Sequence, residues 1–134
     1  MHIAYLTPEY PHKKISNAGG MGTSIKNLVE ALAAIGHQIS VLVYGQKEDC
    51  VFEEGSITFH LIAQKTYKLG GFYFYRKHIQ NYIMDHSEGI EIIEAPDWTG
   101  ITAFMHFKIP LVIRFHGSDT YFCHIENRPQ KWKN

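Results

Sequence analysis

Hydrophobic positions recur along this chain with two different periods. The run Ile3-Ala4-Tyr5-Leu6 is continuous, closed by Thr7 and stopped by Pro8, which predicts a short strand from His2 to Thr7 buried on both faces. Glu9 to Asn17 is polar, with Pro11 and Ser16, and reads as a long loop. From Ser24 the apolar residues Ile25, Leu28, Val29, Leu32 and Ile35 fall at steps of three and four, so Ser24 to Ile35 should be a helix with one buried stripe, ended by Gly36. Lys26, Asn27 and Glu30 then face away from that stripe. Gln38 to Tyr44 and Ile57 to Ala63 return to strand patterns, separated by a charged loop from Gly45 to Gly55.

A second helical period follows Gly70-Gly71, through Phe72, Tyr75, Ile79, Tyr82 and Ile83. Arg76, Lys77 and Gln80 are assigned to its other side, Arg76 and Lys77 as a solvated face with a membrane-surface role as the alternative. Ile90 to Glu94 predicts a fourth strand, Gly100 to Phe107 a short third helix and Pro110 to Phe115 a fifth strand. Residues 120–134 carry Arg128, Lys131 and Lys133 with no apolar period, so the reading is a domain over 1–119 and an unfinished connection or tail over 120–134. Strands alternating with helices through connections too long for hairpins imply parallel pairing, hence an α/β, Rossmann-like, doubly wound parallel sheet. Ligands bind such sheets at the carboxyl ends of the strands, where the strand order reverses.

Three segments fall at those ends: the glycines after the first loop, Ala95-Pro96-Asp97-Trp98, and His116-Gly117-Ser118-Asp119. Gly19, Gly20 and Gly22 stand just before a helix, where positive φ angles and bare N–H groups would make an anion cradle. The alternative is a flexible loop with a tight helix start. A dinucleotide fingerprint does not fit, because about a dozen residues separate the first strand from the glycines, the third glycine is missing, and Tyr44-Gly45 stands where an acid is needed. A phosphate-binding P-loop fails for want of Gly-Lys-Ser/Thr. His116 should project at the sheet rim, either donating to a hydroxyl or phosphate or satisfied by a local carbonyl. Asp97 can cap the next helix or present a carboxylate. Lys68 to Tyr75 faintly resembles the aromatic strand of an RNA-recognition module, but its rings continue into the helical period and core packing fits better.

Thirteen basic residues balance thirteen acidic ones, so there is no global positive field and nucleic acid is disfavoured as a partner. Cys50 and Cys123 are the two cysteines and fit no disulfide framework or metal spacing. None of the nine histidines stand three to five apart, which argues against a metal site. No apolar run approaches the ~20 residues of a membrane span, and the chain starts directly on a strand pattern. The expected location is cytoplasmic, with peripheral attachment to a membrane as the option.

Ile3-Ala-Tyr-Leu-Thr-Pro-Glu-Tyr-Pro11, Gly19-Gly20-Met21-Gly22, Asp97-Trp98-Thr99-Gly100 and Arg114-Phe115-His116-Gly117 together resemble the N-terminal domain of retaining GT-B glycosyltransferases of family 4. The Asp97-Trp98 segment also looks like its counterpart in glycogen and starch synthases. The resemblance implies an acceptor-side domain, a partial or complete N-terminal half of a GT-B fold, facing a C-terminal domain that holds most of a nucleotide sugar. It implies that Gly19, Gly20 and Gly22 approach the donor diphosphate, that His116 and Asp97 are the catalytic candidates, and that Glu9, Trp98 and Gly117 contact acceptor or sugar. It implies no cofactor and no metal, the nucleotide sugar being substrate. Pro96 and Asn17 depart from the synthases, which often carry histidine and lysine there. The paired glutamates used on the donor are absent, since no two glutamates stand eight apart. The expected activity is therefore half an enzyme, inactive alone; the alternative is a free-standing Rossmann-like binding module for a phosphorylated or sugar ligand.

Overall fold

The computed structural model describes residues 1–117 and 119–129; Ser118 and residues 130–134 of the predicted tail lie outside the described residues. The elements run β1 (His2–Thr7), α1 (Gly20–Ala34), β2 (Gln38–Gln46), β3 (Cys50–Glu54), β4 (Ile57–Ala63), α2 (Gly71–Asp85), β5 (Ile92–Pro96), a 3-10 turn (Trp98–Gly100), β6 (Leu111–Arg114) and α3 (Asp119–Ile125). They form a six-stranded sheet in the order β3-β4-β2-β1-β5-β6. β1 pairs in parallel with both β2 and β5, β2 with β4, and β5 with β6, whereas β3 is antiparallel to β4. This is the doubly wound α/β sheet, with an antiparallel edge.

The central strands are apolar on both faces because each face carries its own core. Leu6, Leu42, Ile62 and Ile93 pack with Ile79 and Ile83 of α2. Tyr5, Val41, Val43, Phe59 and Leu61 pack on the other face with Ile25 and Val29 of α1. Period-2 alternation within each strand thus divides neighbours such as Tyr5 and Leu6 between two layers. Strand order reverses at β1, whose neighbours are reached through α1 on one side and α2 on the other. The carboxyl ends of β1 and β5 bound that crevice.

Four expectations need correction. The charged loop Gly45 to Gly55 contains β3, joined to β4 by a two-residue turn at Gly55-Ser56 with Gly55 at φ +60°. Phe52 of β3 stacks on Phe59 at 4.9 Å and Cys50 packs on the same core, while Val51, Glu53 and Glu54 are exposed, so the strand carries little apolar signal. α1 starts at Gly20 and takes the glycines into its first turn. Gly100 to Phe107 is not a helix: Thr99 and Phe104 have φ +54° and +64°, and left-handed residues break a helical run. Arg76 is not on a solvated face but buried, 5% exposed. Within the predicted tail, α3 buries Cys123; seven residues of helix, about two turns, are too short to show a period.

Candidate functional site

The loop after β1 is folded back tightly. Thr7, wholly buried, donates through Oγ1 to the carbonyl of Glu9 at 2.8 Å and accepts from Glu9 N–H at 3.3 Å. Tyr10 N–H donates to Asn17 O at 3.0 Å, Ser16 N–H to Gln46 Oε1 at 3.0 Å, and the buried side chains of Tyr10 and Ile15 join the α1-side core. The fold-back carries the Glu9 carboxylate beneath the start of α1, where Gly22 N–H donates to Oε1 at 2.8 Å. The first intrahelical bond closes from Thr23 N–H to Gly19 O at 3.0 Å, so the amides of Gly20, Met21 and Gly22 precede the ladder. Glu9 thus sets a carboxylate against the positive end of the helix dipole.

The reason for the glycines differs from the one expected. None of the three has a positive φ; Gly19 is extended at −164° and Gly20 and Gly22 are helical. A Cβ on Gly19 would sit 2.5 Å from Glu9 Oε2, and one on Gly22 2.9 Å from Glu9 O. Gly22 is therefore demanded by the backbone of the strap that crosses it, whereas at Gly19 only the movable end of the Glu9 side chain stands in the way. Gly20, with nothing within 4 Å of its missing Cβ, faces open space.

At the ends of β5 and β6 the backbone is tied crosswise. Asp97 N–H donates to Arg114 O at 3.1 Å, and His116 N–H donates to Asp97 Oδ1 at 3.0 Å. Asp97 precedes the 3-10 turn but its side chain does not cap it. Arg114 grips Glu94 with both ends of its guanidinium, which raises its pKa, first through that hydrogen bond. Gly117 at φ +103° leaves no room for a side chain, since a Cβ would lie 2.9 Å from Phe122. Trp98 meets Phe122 edge to face at 6.3 Å. Beneath Trp98, Arg76 donates to Thr99 O at 2.7 Å, Gly100 O at 3.2 Å and Phe72 O at 3.0 Å, and burial pulls its pKa below the usual arginine value.

Together these loops enclose a cleft of about 530 Å³ lined by Glu9, Met21, Trp98, His116, Gly117 and Phe122, with Asn17, Glu126 and Arg128 at its margin. Glu9, Trp98, His116 and Gly117 of the sequence-derived set meet here. The glycines adjoin the cleft through Met21 and the Glu9 contact, and Asp97 stands behind it, holding the His116 backbone. Sequence reasoning missed Met21, Asn17, Phe122 and Arg76. Arg76 had a signal, four residues after Phe72 and three before Ile79, which places it on the buried stripe. The others lie in loops or short helices without a period. The cleft combines a helix N-terminus, an imidazole, an indole face and carboxylates, a set suited to a polar, hydroxyl-rich and anionic ligand. Among the described residues no three His, Cys, Asp or Glu side chains converge as a metal site would require.

The sequence model of Glycosyltransferase Family 4 matches residues 18–134, a span holding the glycines, Asp97-Trp98 and His116-Gly117. The chain belongs to glycosyltransferase family 4. No curated protein sequence matches it. Among solved structures, this family 4 domain is similar to a sucrose-phosphate synthase from Thermosynechococcus elongatus, with TM-score 0.65 and 15% identity over 98% of this chain and 36% of that one. It is also similar to the catalytic domain of starch synthase IV from Arabidopsis thaliana, bound to ADP and acarbose, with TM-score 0.58 and 11% identity over 87% of this chain and 34% of that one. At those identities the likeness is one of fold, a Rossmann-like domain of the GT-B type. The family 4 chain spans about a third of the length of either structure.

Proposed function

We propose that this chain is the acceptor-side N-terminal domain of a glycosyltransferase that moves a sugar from a nucleotide-sugar donor to a hydroxyl acceptor with retention of configuration. The observation that supports this most is the cleft at the reversal of strand order, which gathers Glu9, Trp98, His116 and Gly117 beside the N-terminus of α1 in a family 4 chain. In this reading the amides of Gly20 and Met21, with the helix dipole, stabilise charge on the leaving diphosphate without a resident metal. His116 donates to the transferred sugar, and Asp97 fixes His116 through its backbone beside the acceptor. Trp98 and the side-chain-free edge at Gly117 receive a sugar ring. A second Rossmann-like domain supplies most of the donor site, so the 134-residue chain alone does not turn over. Its workplace is the cytoplasm; among the described residues no helix is long and apolar enough to cross a membrane.

The test is a titration of the chain with UDP, ADP and GDP, followed by amide resonances. One of the three should shift Gly20, Met21 and Gly22 together with the Trp98 indole. Unmoved resonances at millimolar concentrations of all three, or shifts confined to another surface, would overturn the assignment of this cleft.

A further inference from the structure

Away from the cleft, the start of α2 and the turn at Phe104 expose one continuous band of rings. Tyr67 lies 5.7 Å from Phe74, Phe74 5.5 Å from Tyr73, Tyr73 6.0 Å from Phe104, and Phe104 6.2 Å from Phe72, centroid to centroid. Leu69 is 85% exposed and Phe104 62%, and the other four rings are 40 to 50% exposed. Phe104 is held at φ +64°, a conformation of some strain for a bulky residue, with its ring outside the core. A connected apolar band of this kind on a folded surface marks an interaction site.

Its charge is one-sided. Lys65 and Lys68 are exposed beside the rings, and Lys77 Nζ lies 5.7 Å from the Tyr73 centroid. No Asp or Glu occurs between Glu54 and Asp85, or between Asp97 and Asp119. Both segments that build the band are therefore free of acidic residues.

We infer that this band docks the domain on an anionic lipid surface. Exposed rings with flanking lysines match the boundary between headgroups and acyl chains, where rings enter and ammonium groups meet lipid phosphates. A protein partner fits less well, because lysine is depleted in the cores of protein interfaces. Single-stranded nucleic acid fits less well too. The rings cross edge to face at 63 to 80° in three of these contacts, and Arg76 covers a face of Phe72, leaving no flat ladder for bases.

Co-sedimentation of the whole chain with phosphatidylcholine vesicles, with and without one-third phosphatidylglycerol, tests this docking. Binding should require phosphatidylglycerol and weaken as salt rises. Lys65→Gln with Lys68→Gln should reduce it roughly 25-fold, about fivefold per lysine, and Leu69→Ser with Phe104→Ser should reduce it at least as much. Unchanged far-ultraviolet circular dichroism confirms that the variants fold. Equal binding to both vesicle types, no binding to either, or wild-type binding by both folded variants would overturn the inference. So would retention of single-stranded RNA in place of vesicles, or a dimer dispersed by Leu69→Ser in a chain that ignores vesicles.

Discussion

Glu9 occupies the place at the start of α1 that an incoming phosphate would want. Replacing it with alanine frees the Gly22 amide and removes a favourable charge from the helix dipole. Glu9→Ala should therefore cost about 1 kcal/mol of stability yet tighten nucleoside diphosphate binding severalfold; urea midpoints and calorimetry on the same protein read both, and loss of both would make Glu9 a ligand contact. His116 carries the opposite signature. In the intact enzyme His116→Ala should lower kcat by roughly 10² with the urea midpoint unchanged, whereas a normal kcat with a lowered midpoint would reduce His116 to a structural residue. His60 governs acid behaviour. It is 7% exposed, and burial, then the neighbouring His86 and His2, push its pKa from 6.5 down to about 4. The unfolded chain accepts that proton first as pH falls. Stability should therefore decline from pH 6.5 towards pH 4, by about 3 kcal/mol, and urea midpoints at pH 7 and 5 should converge in His60→Leu.

The elements were legible where a period had room to develop. β1, β2, β4, α1 and α2 each repeat an apolar spacing several times, and both the parallel sheet and the place of the cleft at the carboxyl ends of its strands followed from their alternation. β3 was hidden because an edge strand shows water one face, leaving Phe52 almost alone as its signal. The segment after Trp98 was misread as helix because a composition compatible with helix says nothing of left-handed residues at Thr99 and Phe104. The glycines were located correctly at the α1 start but for a different physical reason, since a sequence cannot show that Glu9 will cross them. That reason separates two neighbouring substitutions. Gly20→Ala meets open space and should stabilise the helix by about 0.5 kcal/mol, while Gly22→Ala meets the Glu9 backbone and should cost about 2 kcal/mol; equal thermal shifts would mean the strap yields.

For the whole molecule, formal neutrality concealed a segregated surface, because a sum cannot report which acids are missing from which face. The location of the cleft was legible from topology, but its walls at Asn17 and Phe122 depend on how a long loop and a short helix close over the sheet. The outer edge matters for handling. Among the described residues β6 pairs only with β5 and exposes Val112, with Phe115 beyond it. Open apolar edges invite association, so Val112→Lys should reduce light scattering at high concentration without lowering the melting temperature. Arg76 has an optical consequence. The same guanidinium lies over Phe72 on the ring band and holds the carbonyls of Thr99 and Gly100 next to Trp98 in the cleft. The sequence contains two tryptophans, so Trp132→Phe leaves Trp98 as the sole indole emitter. Its emission wavelength then becomes a built-in dye for both surfaces, shifting directly when a ligand fills the cleft and at second hand when something presses on Phe72 from outside.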